Sequence, residues 1–178
     1  MKIAKKLVVV LAIILTIPLI IALFTRKDYI VEREVVINKP KQDVFNYVKL
    51  LRNQVNYSTW SKLDPNTKME YKGTDGTPGF VSSWNGNKDV GMGEQEIKSI
   101  TEGSRIDYNL HFIKPMNEKA TSYMTTDAVS VKQTKVKWGM AGKMAYPMNF
   151  MLVVCNMDKL LGPELQAGLN NLKGVLEK

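Results

Sequence analysis

The stretch 157–176 near the C-terminus most constrains what this chain can fold into. Met157, Leu160, Leu161, Leu165, Leu169, Leu172 and Leu176 recur at steps of three and four and make one apolar stripe on a helix. Asp158, Lys159, Glu164, Gln166, Asn170, Asn171 and Lys173 fill the opposite face. Upstream lies a run of short, alternating, strand-like segments with no other long helix among them. An antiparallel sheet must cover its apolar face, and this helix is the only element long enough to do so. Gly162-Pro163 lies inside it. Proline removes a backbone donor, so an interruption and a kink are expected there.

The strands follow from alternation and turn chemistry. Residues 29–38 set Val31, Val35 and Ile37 against Glu32, Glu34 and Asn38, a half-buried first strand. Asn38-Lys39-Pro40 opens a short amphipathic helix through Val44, Phe45, Val48 and Leu51, broken in two before Tyr57. Asp64-Pro65-Asn66 is a turn. Further strands are expected at 67–72, 80–84, 91–100, 105–113, 120–131 and 134–144, split by turns such as Asn85-Gly86-Asn87 and Glu102-Gly103. Connections this short leave no room for crossover helices, so the seven strands should form an antiparallel sheet. Ile106, Tyr108, Leu110 and Phe112 share one face; Arg105, Asp107, Asn109 and His111 share the other. Val136, Trp138, Met140 and Met144 likewise oppose Lys135, Lys137 and Lys143. A short helix is expected over 148–154.

The N-terminus reads differently. Residues 7–24 are 18 in a row without a charge. At 1.5 Å per residue they reach roughly 27 Å, enough for a bilayer core. Residues 1–28 are therefore expected to be an uncleaved signal anchor, and 29–178 a single globular domain. A cleaved signal peptide is the alternative. Its apolar region runs about 7–15 residues and ends in small side chains, whereas this one ends Leu23-Phe24-Thr25-Arg26. The terminal amine, Lys2, Lys5 and Lys6 precede the span, and Arg26 and Lys27 follow it. That bias favours a cytoplasmic N-terminus, a single pass, and a domain on the exported side.

Charge and composition exclude several functions. The net charge is +8, but five cations and Asp28 lie within residues 1–28, leaving +4 on the domain without a dense basic stripe. Nucleic-acid binding is not expected. One histidine and one cysteine cannot build the usual nitrogen and sulfur metal site, and no cofactor is expected. Cys155, in the context Val153-Val154-Cys155, reads as a packed core residue without a disulfide partner. The glycines at 73–79 and 86–93 lack the strand-to-helix context of a phosphate loop and are hairpin turns.

The candidate site is the apolar face. Trp84, Tyr108, Phe112, Met124, Trp138, Met140 and Met144 either pack as plain core under the helix or line a cavity with Leu161 and Leu165. Glu94 and Glu96 share a strand face with Met92, Lys98 and Ile100. Glu94 is a weak catalytic candidate, since paired carboxylates do acid–base work only when one sits in an apolar pocket. The plainer reading is a charged outer face. His111 alternates with solvated residues and reads as a surface histidine.

Local motifs carry a resemblance. Trp60-Ser61-Lys62-Leu63-Asp64-Pro65, Tyr71-Lys72-Gly73, Gly79-Phe80-Val81-Ser82-Ser83-Trp84, Gly91-Met92-Gly93-Glu94-Gln95 and Leu161-Gly162-Pro163 with Gly168-Leu169-Asn170-Asn171-Leu172-Lys173 resemble the polyketide cyclase/dehydrase-like bacterial branch of the helix-grip superfamily. That superfamily also holds START lipid-transfer domains and the birch pollen allergen. The resemblance covers residues 30–178. It implies an α+β helix-grip fold, a seven-stranded antiparallel sheet wrapped around the long C-terminal helix, with a cavity between them. No catalytic motif of the family's enzymes is matched here. The expected function is a membrane-anchored domain that binds a small apolar molecule or lipid. The alternatives are a cyclase- or dehydratase-like enzyme using Glu94 or Tyr108, and a membrane-tethered protein-interaction module.

Overall fold

A computed structural model describes residues 2–115 and 117–178, without the side chains of Lys2, Ala4 and Val8. The terminal amine of Met1, counted above, lies outside the described residues. Helix α1 (Lys2–Phe24) comes first and is long and apolar enough to cross a membrane. Its side chains face outward nearly all round. After three residues the chain enters β1 (Asp28–Ile37), then α2 (Lys41–Lys49) and two 3-10 turns, Leu51–Asn56 and Trp60–Lys62. Six strands follow: β2 (Lys68–Lys72), β3 (Val81–Asn85), β4 (Met92–Thr101), β5 (Arg105–Lys114), β6 (Glu118–Ser130) and β7 (Gln133–Lys143). A 3-10 turn (Met148–Phe150), the short α3 (Met151–Val154) and the long α4 (Met157–Leu176) complete the chain.

The strands form one seven-stranded antiparallel sheet in the order β1-β7-β6-β5-β4-β3-β2. The first strand pairs with the last, so α4 leaves the sheet beside β1 and packs along it. Leu165, Leu169 and Leu172 are fully buried in one core with Val136, Ile37 and Val31 of the sheet and Val44, Phe45 and Val48 of α2. Asn156 caps α4, its Oδ1 accepting from the Lys159 N–H at 3.1 Å. Glycine does as much as leucine on the buried side. Gly162 lies over the Arg33 guanidinium, and a Cβ on Gly168 would stand 2.7 Å from the Trp138 ring. Arg33 passes beneath the helix to form two hydrogen bonds with Asp158, at 2.8 and 2.9 Å.

Four expectations need correction. Leu160 is exposed, because the buried stripe of α4 runs through Gly162 and Gly168 instead. α4 continues through Pro163 without interruption; adjacent turns and tertiary packing hold it. Ile100 does not share a face with Glu94, because a bulge between Ile97 and Ser99 returns it to the core side. Cys155 is only half-buried, at the end of α3, where Val153 and Val154 point outward rather than onto the sheet.

Candidate functional site

Between the sheet and its helical cover lies a cavity of about 220 Å³. The register locates it. Met140 pairs with Val31 on one side and Ser122 on the other; Leu110 pairs with Gln95, and Gln95 with Ser82; Phe112 pairs with Gly93, and Gly93 with Trp84. These rows form the floor, and they belong to the end of the sheet where β1 begins and α1 joins. The roof is Leu51, Gln54 and Val55 of the first 3-10 turn, Trp60 and Ser61 of the second, and Leu161 of α4.

The roof is held from outside. The Asp75 carboxylate accepts the N–H groups of Leu51 at 2.8 Å and Arg52 at 3.1 Å, capping that 3-10 turn. The Asn171 side chain donates to the Tyr57 carbonyl at 3.0 Å, tying α4 to the same segment.

All three tryptophans of the chain line the cavity. Trp138 is the most confined. Its indole Nε1–H donates to Ser122 Oγ at 3.1 Å, and that hydroxyl donates to the Gly139 carbonyl at 2.8 Å. Tyr57 and Trp60 meet its ring edge-on at 5.8 and 6.0 Å. Trp84 lies across Gly93, where any side chain would collide with its ring, and meets Phe112 edge-on at 6.0 Å.

The polar groups at the cavity are few and neutral. Among the described residues no acid, lysine, arginine or histidine lines it. Thr67 Oγ1 is buried without a partner. Gln95 and Ser82, each 7% exposed, also line the cavity. A buried hydroxyl without a partner carries a desolvation cost that a bound polar atom removes. The site can therefore enclose a compact apolar body and hold one or two uncharged polar atoms on it.

Of the residues expected at the site, Trp84, Phe112, Trp138, Met140 and Leu161 line the cavity together. Tyr108, Met124 and Leu165 do not; all three are buried in the close-packed core further along the sheet. Met144 lies beyond the end of β7. Burial pushes the hydroxyls of Tyr57 and Tyr108 well above the ordinary phenol range, so both remain neutral. Tyr57 donates to Met124 Sδ at 3.5 Å. Glu94 points to the outer face, where its Oε1 lies 3.4 Å from His111 Nδ1, and His111 Nε2 lies 2.8 Å from Asn117 Oδ1. Gln95, Ser82, Ser122 and Thr67 were not anticipated. Alternation around Glu94 and Glu96 carried a signal for the first: if the two acids face out, Gln95 faces in.

No family model matches this sequence, and neither does any curated protein. Solved structures do match in shape. Norcoclaurine synthase from Thalictrum flavum, in complex with dopamine and hydroxybenzaldehyde, is 11% identical with a TM-score of 0.62, covering 88% of this chain and 91% of that one. Ginseng major latex-like protein 151 from Panax ginseng is 12% identical with a TM-score of 0.60, covering 83% and 97%. The protein Ara h 8.0201 is 16% identical with a TM-score of 0.56, covering 83% and 97%. Sheet order, the long helix across the sheet and these likenesses agree on the architecture: the chain has the helix-grip fold.

Proposed function

We propose that this protein is a membrane-anchored binding domain for a small, neutral, largely apolar molecule or lipid, held between the sheet and α4. The observation that carries the reading is the chemistry of the cavity wall: three tryptophans, Phe112 and Met140 around a few uncharged polar groups. Burying apolar surface there contributes about 25 cal/mol per Å². A neutral wall disfavours a carboxylate or an ammonium, which would lose its hydration without gaining a partner. The volume of about 220 Å³ falls below the roughly 300–1,000 Å³ of drug-sized sites. It suits one or two rings, or part of an acyl chain. The Thalictrum enzyme holds two small aromatic molecules on the same fold, which supports an aromatic ligand.

Helix α1 supplies the second half of the reading. As a membrane anchor it would hold the domain at the bilayer, and the flanking charges favour the exported side. The cavity lies in the half of the sheet nearest α1, close to lipidic ligands. The enzyme alternative has no comparable support, because Glu94 points outward and Tyr108 lies within the core.

The tryptophans make the test direct. The full chain in nanodiscs, titrated with 2-naphthol, should show a saturable change in tryptophan emission. Ser82→Phe, which fills the cavity, should abolish it. An equal response from both proteins would mean that the probe reports lipid partitioning, and the cavity reading would fall.

A further inference from the structure

Residues 146–155 carry no charge, yet they do not enter the core. Met148, Val153, Val154 and the nearby Leu160 are between 54% and 62% exposed, and Tyr146 is exposed beside them. One side chain of the stretch turns the other way. Asn149 is fully buried, and its Nδ2 donates to the carbonyls of Ala22 at 2.7 Å and Thr25 at 3.0 Å. Those carbonyls belong to the C-terminal end of α1. The Thr25 hydroxyl also donates to the Ile21 carbonyl at 2.8 Å, so carbonyls of the last turn of α1 find side-chain donors.

We propose that this face of the domain lies on the surface of the bilayer that α1 spans, with Tyr146, Met148, Val153, Val154 and Leu160 immersed at the headgroup–acyl boundary. The inference rests on the reading of α1 as an anchor. Ala22 falls inside the uncharged run 7–24, which fills the hydrocarbon layer. Asn149 is one hydrogen bond from it, so Met148 and its neighbours stand at the boundary. They cannot drift away. Only three residues separate α1 from β1, a reach of about 10 Å at full extension. The Met144 N–H also donates to the Lys27 carbonyl at 2.8 Å, binding the end of β7 to the same joint.

Charge agrees with the placement. Arg26, Lys119 and Lys143 line a cleft at this end of the sheet, with Asp28 as the acid among them. An apolar stretch beside lysine and arginine is the composition of a surface that seats on anionic lipid. A second copy of the chain or a soluble partner would not require the uncharged face to sit at the exit of α1.

The test uses the full chain in nanodiscs with one-third anionic phospholipid. Single spin labels are placed by Val154→Cys, Met148→Cys, Val131→Cys and Ile14→Cys, each in a Cys155→Ser background. Val131 is 88% exposed at the far end of the sheet and serves as the aqueous reference. Labels at 154, 148 and 14 should collide with oxygen several-fold more than with a nickel chelate, and the label at 131 should do the reverse. If 154 and 148 behave like 131 while 14 remains in lipid, the docking proposal is wrong and the anchor stands. A water-exposed label at 14 would overturn both. Labels at 154 and 148 shielded from both reagents would mark a protein partner instead, and would also overturn the proposal.

Discussion

Gly168 has room for a hydrogen and nothing larger. Trp138, the ring it faces, is fixed at its edges by Tyr57 and Trp60 and at its nitrogen by Ser122. Gly168→Ala should therefore lower stability by about 1–3 kcal/mol, the usual cost of overpacking, in chemical denaturation. At Gly162 the new methyl would first meet the end of the Arg33 side chain, which can swing toward solvent. Gly162→Ala should cost less than Gly168→Ala, and the reverse order would show that Arg33 rather than Trp138 seats the helix. Alternation shows at this scale which side chains face inward, and Trp84, Phe112, Trp138 and Met140 do. It does not tell an inward residue at the cavity from one in the core, as Tyr108 and Met124 demonstrate. That distinction depends on how the 3-10 turns cover one half of the sheet and α2 the other. No periodicity in the strands encodes it.

The element most exposed to conditions is the first turn of α4. The hydrogen bonds from Arg33 hold the Asp158 carboxyl below its ordinary range. A lowered folded-state value adds stability above the unfolded value near pH 3.9 and loses it as pH falls through the folded one. In thermal melts, Asp158→Asn should therefore be less stable than the parent at pH 6, and the gap should close between pH 4 and pH 2. A gap independent of pH would assign the effect to the helix end rather than to the ion pair. This pair was not legible in the sequence, since its members stand 125 positions apart. The strands themselves were legible almost to the residue. The exception is β4, where one extra residue near Lys98 reverses the alternation and moves Ile100 to the core side.

At the scale of the whole molecule, one buried amide joins α1 to the rest of the fold. Asn149→Ala would leave the Ala22 and Thr25 carbonyls short of a donor, a local loss of about 1–3 kcal/mol. Hydrogen exchange at the Met144 amide, which donates to Lys27 across the same joint, should then quicken about fivefold or more. An unchanged rate would show the joint to be held by its backbone alone. The sequence announced α1 by its run of apolar residues, but nothing in it linked residue 149 to residue 22. With α1 in a bilayer, as proposed above, copies of the domain would share one plane, where an open strand would be a template for polymerisation. Both rims of the sheet are guarded. At the end of β1, Lys173 Nζ of α4 donates to the Val36 carbonyl at 2.8 Å, and Glu177, just past α4, accepts the Asn38 N–H at 2.6 Å, taking up groups that a neighbour's strand would seek. The opposite rim, β2, is five residues long with a lysine at each end. Copies crowded on such a surface would therefore have less open strand edge through which to join into fibres.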